Sequence, residues 1–145
     1  MDFLGSLNIS GSGLTAQKLR MDVIAQNISN AQVTKTEDGT AYRRKMVVLS
    51  SIKEPGSFQE ALDNASAAQA GGVKVSKIVA DPSDLIPVYN PNHPDANADG
   101  YVMMPNVNTA QEMVDMMAAS RAYEANITAF NATKAMLLKA LEIGR

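Results

Sequence analysis

His93 is the only histidine in the chain, so a Ser-His-Asp relay or an imidazole metal ligand would have to be built on it. It stands in Asn90-Pro91-Asn92-His93-Pro94, a run of turn-forming residues, and reads as a loop side chain. Asp95-Ala96-Asn97-Ala98-Asp99-Gly100 matches the first half of a calcium loop, with alternating oxygen-bearing side chains and a turn-forming glycine. The position that needs a bidentate glutamate is Asn106, however, and Pro94 and Pro105 stand where flanking helices belong. The ordinary Asp/Asn/Gly turn is the simpler reading. Asp81, Asp84, Asp95 and Asp99 could imitate an acid–base pair, but they fall in loops with no apolar pocket predicted around them. Asn-x-Ser/Thr sequons begin at Asn8, Asn27, Asn126 and Asn131, mostly on predicted helices, whereas glycosylation acceptors prefer exposed loops. Gly11-Ser12-Gly13 follows no strand and lacks the pattern of a phosphate cradle. There is no cysteine, which excludes disulfides, thiolate catalysis and Cys-based zinc sites. The expectation is a chain without catalytic, cofactor-binding or metal-binding residues, and not an enzyme.

Composition narrows the partners. The net charge is −2 over 145 residues, and the tight basic cluster Arg43-Arg44-Lys45 reads as a solvated strand face. No basic field is present to hold nucleic acid or anionic lipid. The start, Met1-Asp2-Phe3-Leu4-Gly5, lacks a positive region and a long apolar run, so no cleavable secretory signal is expected. No stretch reaches the roughly 20 apolar residues of a membrane span, and the expectation is a soluble chain without direct membrane insertion.

The elements that would position any site divide the chain into three zones. Over about Phe3–Ala31, Leu7, Leu14, Met21 and Ile28 recur every seven residues, with Phe3, Ile24 and Ala31 at companion positions and Ser10 and Gln17 between. Gly11 and Gly13 within this helix either break it or let another backbone approach closely. Over about Thr109–Ile143, Met113, Ser120, Ile127, Lys134 and Leu141 form one row, and Met116, Tyr123, Phe130 and Leu137 another. Thr109-x-x-Glu112 reads as a capping box. A helix of that length spans ~50 Å, more than a compact globule of this size usually holds.

The middle zone reads as strands at Tyr42–Ile52, around Val73 and Val75, at Leu85–Tyr89 and at Tyr101–Met104. Lys53–Gly72, rich in Ala, Ser, Gly and Gln, reads as a mobile loop with a short helix over Phe58–Ala68. The fold expected is therefore α+β: two long terminal helices forming a coiled-coil-like inner domain, with a small β-rich insert between them. Its parts are residues 1–34, residues 35–105 with the mobile loop near 53–72, and residues 106–145.

Each seam is narrow and polar, and the insert has few large apolar residues, so burial has to be completed against other chains. Asn27 and Asn30, at the end of the first helix, can cap backbone groups there. Asn126 lies inside the last helix, where a buried polar side chain fixes register and partner choice. A polymer subunit meets these requirements. A self-contained helical adaptor or secretion chaperone would show long seams too, but leaves the insert without a reason. A wall-degrading enzyme would need a pocket and paired catalytic groups.

The two ends of the chain also carry a resemblance. Gly13-Leu14-Thr15-Ala16-Gln17 through Met21-Asp22-Val23-Ile24-Ala25-Gln26-Asn27-Ile28-Ser29-Asn30-Ala31 resembles the N-terminal signature of flagellar rod and hook proteins. That signature continues into Thr34 or Thr36, Gly39 and Tyr42-Arg43-Arg44, and departs from the family only at Gln26, where a second Asn is common. Gly100-Tyr101-Val102-Met103-Met104-Pro105-Asn106-Val107-Asn108, Glu112-Met113-Val114-Asp115-Met116-Met117 and Ser120-Arg121-Ala122-Tyr123-Glu124-Ala125-Asn126 are similar to the proximal-rod branch of that family.

The resemblance implies a structural subunit of the proximal rod, a drive shaft that transmits torque and encloses an export channel. It implies terminal helices coiled together in an inner tube with the insert outside, in the basal body within the cell envelope and its periplasmic space. Subunit contacts would fall on Leu7, Leu14, Met21, Ile24, Asn27, Ile28 and Asn30 of the first helix. On the last helix they would fall on Met113, Met116, Tyr123, Asn126, Ile127, Phe130 and Leu137. The implied partners are further copies of the chain, the proximal rod proteins FlgB and FlgF, the MS-ring adaptor FliE, the distal rod protein FlgG and the flagellar type III export apparatus. Phe3-x-x-x-Leu7 resembles a hydrophobic export motif, for passage without a cleaved signal.

Overall fold

The computed structural model describes residues 3–53 and 70–143. Helix α1 runs over Phe3–Ser29. It continues unbroken through Gly11 and Gly13, where Ser12 Oγ donates to the Ile9 carbonyl at 2.7 Å and Thr15 Oγ1 to that of Gly11 at 3.1 Å. Both side chains back-bond to the helix rather than compete with it. At its end Asn30 Nδ2 donates to the Gln26 carbonyl at 2.8 Å, beside the Asn30 backbone N–H that donates to the same oxygen at 3.1 Å.

Strands β1 (Lys45–Lys53) and β2 (Ala70–Ala80) pair antiparallel, with register shifts after Val48 and after Ser51. A second antiparallel pair joins β3 (Ile86–Tyr89) to β4 (Tyr101–Met104), with Ile86 opposite Met104 and Tyr89 opposite Tyr101. The two tyrosine rings meet edge-on, their centroids 5.3 Å apart. Helix α2 covers Thr109–Ile143. The α+β architecture, two long terminal helices around a small antiparallel insert, is the one expected. The Phe58–Ala68 helix and most of the Lys53–Gly72 loop lie outside the described residues, while residues 70–72 belong to β2.

The start of α2 differs from expectation. Its cap is Asn108, whose Oδ1 accepts from the backbone N–H groups of Ala110 at 3.1 Å and Gln111 at 3.2 Å. Glu112 does not close a capping box with Thr109, because its carboxylate turns to Arg44 and Asn27.

The two helices lie antiparallel. Ser6 Oγ is 3.4 Å from Thr133 Oγ1, a Cβ on Gly13 would lie 3.2 Å from Asn126 Nδ2, and Asn27 Nδ2 is 3.0 Å from Glu112 Oε2. One heptad up α1 is thus matched by one heptad down α2. The rows in closest contact are small or polar, Ser6/Gly13/Asn27 against Glu112/Ala119/Asn126/Thr133, and not the rows of large apolar residues that the periodicity suggests. Small side chains let the two backbones approach, which leaves the large ones to flank the contact. Ser12 and Gly72 bring β2 onto α1 in the same way: Val73 N–H donates to Ser12 Oγ at 3.1 Å, and a Cβ on Gly72, at φ +132°, would lie 2.5 Å from that oxygen.

The buried apolar side chains are Ala16, Val23, Ile24, Ala41, Tyr42, Val102, Pro105, Val107 and Ala119. Among the described side chains no Leu, Met or Phe is fully buried. Those residue types bring the largest gain per side chain when removed from water, about 1.5–3 kcal/mol each, and within one copy of this chain that gain is incomplete.

Candidate assembly interface

The best-organised polar site joins the end of α1, the entry to β1 and the start of α2. Asn27 is 1% exposed and uses its whole side-chain amide. Its Nδ2 donates to the Lys45 carbonyl at 2.9 Å and to Glu112 Oε2 at 3.0 Å, and its Oδ1 accepts from Tyr42 Oη and the Lys45 N–H, each at 2.9 Å. These contacts fill the four places an asparagine side chain offers. Glu112, also 1% exposed, accepts from Arg44 Nε at 2.6 Å. Asp81 and Asp115 stand 3.6 and 3.5 Å from the other guanidinium nitrogens. Asn106 completes the site: its Oδ1 accepts from the Arg44 N–H at 2.8 Å and its Nδ2 donates to Ser83 Oγ at 2.8 Å.

Burial alone would lower the Arg44 pKa, but the hydrogen bond and charge of Glu112, with Asp81 and Asp115 behind it, outweigh burial and raise it. Burial raises the Tyr42 phenol, and the Glu112 charge adds to the rise. Asp81 is held below the usual aspartate value, first by hydrogen bonds from the Ser83 backbone and side chain and then by Arg44. The site is a clamp of three carboxylates and an asparagine amide around one guanidinium, built from side chains at separate places in the sequence. Sequence reading names most of its members but gives them other roles. Arg44 reads as part of a solvated basic cluster and Glu112 as half of a cap. A usable signal is the spacing of Glu112, Ala119, Asn126 and Thr133, a heptad row small and polar enough to let another helix come close.

The residues expected at subunit contacts are placed as follows. Asn27 and Ile24 are buried within the chain, Asn27 with every polar atom engaged. Leu7, Leu14, Met21, Ile28, Asn30, Met116, Tyr123, Asn126, Phe130 and Leu137 are half-buried, while Met113 and Ile127 are exposed. Phe3 opens α1, and its side chain lies outside the described residues. The outer side of α2 exposes Met113, Val114, Met117, Met136, Leu138 and Leu141, the last 70% exposed. Every residue of β3 is exposed, and Tyr101 and Met103 of β4 extend that apolar surface. Apolar patches of this kind on a folded chain mark contact surfaces.

The loop residues with apparent chemistry serve the backbone. His93 Nδ1 accepts from the Asp95 N–H at 3.1 Å, and Asp95 Oδ2 accepts from Thr34 Oγ1 at 2.8 Å. Asn97 Oδ1 accepts from the N–H groups of Asp99 at 3.1 Å and Tyr101 at 2.8 Å, and Gly100 takes φ +80°. Among the described residues no group of His, Cys, Asp or Glu is arranged to hold a metal ion, and no helix is long and apolar enough to cross a membrane.

Comparison with known proteins agrees with the two ends of the fold. A family model for flagella basal body rod proteins matches residues 7–35, and one for the C-terminal region of the flagellar basal body rod FlgEFG proteins matches residues 98–143. Among curated relatives, the flagellar basal-body rod protein FlgC of Bacillus subtilis is 52% identical, with 97% of each chain covered. FlgC of Borreliella burgdorferi is 44% identical over 99% of this chain and 98% of its own, and FlgC of Escherichia coli 41% identical over the whole of both.

Proposed function

The chain belongs to the FlgC family of flagellar basal-body rod proteins, and from that premise we propose that it is a structural subunit of the proximal rod, with a mechanical and not a catalytic role. The observation that carries the reading is the unfinished burial: no described Leu, Met or Phe is buried, while Met and Leu side chains line the outside of α2 and Ile86, Val88 and Tyr89 of β3 stay exposed. In a rod, neighbouring subunits would cover these surfaces, and each subunit's fold would be completed by assembly.

Under this reading the antiparallel helix pair forms part of an inner tube that encloses the export channel, and the insert packs outside it. The Asn27–Glu112–Arg44 clamp fixes the insert to the helices, so that torque applied to one is carried to the other without a hinge. Leu14, Met21 and Ile28 of α1 and Met116, Tyr123 and Phe130 of α2 lose their remaining exposure to neighbouring subunits. The neighbours are further copies of the chain, FlgB, FlgF, FliE and FlgG, after passage through the type III export apparatus to the envelope, without a cleaved signal.

The test is deletion of the chromosomal gene, with motility and electron microscopy of basal bodies. Basal bodies arrested before the rod, without hook or filament and restored by the gene in trans, are expected. Normal flagella in the deletion strain would overturn the reading and favour a helical adaptor that forms a stable soluble dimer.

A further inference from the structure

Between α1, β1 and the start of α2 the surface opens into a cleft of about 410 Å³, with Ile24, Val47 and Leu49 among its apolar walls and Arg20, Arg44, Lys45, Glu112 and Asp115 as its charged lining. Most of these charges are engaged within the chain. Arg44 holds both carboxylates, and Lys45 lies 5.7 Å from the centre of the Tyr42 ring. Arg20 is half-buried, yet no described residue pairs with it as a carboxylate or hydrogen-bond acceptor. It occupies the heptad position between Gly13 and Asn27, so its stem starts on the helix–helix contact and its charge reaches the cleft.

A half-buried guanidinium beside aliphatic side chains gains most from a charged acceptor. Its planar fork fits a carboxylate, and a carboxylate delivered into the cleft would form a charge-assisted pair. Three cations interspersed with two carboxylates on partly apolar walls are not the basic field that a nucleic acid or an anionic membrane requires.

Resting on the rod reading above, we infer that this cleft receives the end of a helix from a neighbouring rod subunit, which sets aliphatic side chains against Ile24 and Leu49 and a carboxylate onto Arg20. The end of α2 displays that chemistry in this chain, with Leu138 and Leu141 exposed beside Glu142, whose carboxylate would exchange an exposed pair with Lys139 at 2.7 Å for Arg20. Cleft and helix end lie at opposite ends of the antiparallel pair, so the contact is head-to-tail and extends a filament along the helix axis.

The test complements the deletion strain with wild type, Arg20→Lys, Arg20→Gln and Arg20→Glu, and counts rods in purified basal bodies. Wild type and Arg20→Lys are expected to restore rods, whereas Arg20→Gln and Arg20→Glu give about tenfold fewer or worse. The purified Arg20→Gln chain should keep the wild-type midpoint in a urea or trimethylamine-oxide titration, because Arg20 pairs with no described residue of the chain. Motile revertants of Arg20→Glu should carry an Asp or Glu changed to Lys or Arg at a helix end: Glu142 if the neighbour is a second copy, another rod subunit if it is not. Wild-type rod numbers with Arg20→Gln would overturn the cleft contact alone, as would a midpoint that falls in step with rod number. Failure of the wild-type gene to restore rods would overturn the rod reading itself.

Discussion

Asn27 and Glu112, separated by 85 residues in sequence, meet at 3.0 Å with both side chains out of solvent. This bond ties the last turn of α1 to the first turn of α2, and through Arg44 and Lys45 it ties both to β1. Neither helix can dock alone without leaving a buried amide or a buried carboxylate short of partners, and that shortage is what makes the three elements settle together.

Asn27→Ala removes four hydrogen bonds at once and strands the Lys45 backbone, the Tyr42 hydroxyl and one oxygen of Glu112. The expected loss is about 2–4 kcal/mol of stability. Urea or trimethylamine-oxide titration followed by circular dichroism reads it, since the osmolyte drives folding even of a marginal chain. A change below about 0.5 kcal/mol, the scale of a neutral surface substitution, would remove the clamp from the account.

Glu112→Ala and Glu112→Gln separate charge from hydrogen bonding. The alanine leaves Arg44 facing only Asp81 and Asp115 and leaves Asn27 Nδ2 one acceptor short, for a loss of about 2–4 kcal/mol. The glutamine keeps an oxygen for Asn27 and should cost about half as much. Equal losses would show that the carboxylate acts through its charge alone.

The pH dependence has two limbs. Asp81 has a folded pKa below its unfolded value, so its contribution is present above the unfolded pKa and is lost as pH falls through the folded one. Tyr42 has a folded pKa above its unfolded value, so its contribution is present below the unfolded pKa and is lost as pH rises through the folded one. Midpoints measured against pH should show both losses. Asp81→Asn should flatten the acid limb and Tyr42→Phe the alkaline one, and a Tyr42→Phe profile that keeps its alkaline slope would assign that limb elsewhere.

Gly13 sets the spacing of the helix pair. Gly13→Ala places a Cβ 3.2 Å from the Asn126 side chain, so a gain in helix propensity of about 1 kcal/mol is offset by displacement of that amide. Joining it to Asn126→Ala should release the gain, a coupling that a double-mutant cycle detects. Gly13→Leu should cost about 1–3 kcal/mol by forcing the helices apart. Stability unchanged by the leucine would mean the pair is not in contact there.

An isolated chain with so few large buried side chains should have little helix beyond what its sequence favours locally. Circular dichroism of the purified monomer is expected to show weak helicity and a broad melt, rising when the chain enters the rod. A strongly helical monomer with a sharp melt would show that the small-residue seam suffices alone.

The sequence by itself determined the elements and their order. Heptad periodicity marked α1 and α2, alternation and β-branched residues marked the strands, and Asp, Asn and Gly between Pro94 and Pro105 marked a turn. These signals are local, carried by neighbours within one or two turns of chain, and local physics is enough to read them. The paired signatures at the two ends were legible for the same reason, and they carried the family.

Pairing was decided only by the tertiary structure. Periodicity shows that a helix has an apolar row but not which row meets its partner, and here closest approach went to Gly13, Ala119 and Thr133 because small residues let backbones come together. Glu112 and Arg44 looked like a cap and a surface charge because each alone would be solvated. They become a buried clamp only when α1, β1 and α2 converge, with Asn27 filling the last hydrogen-bonding places between them.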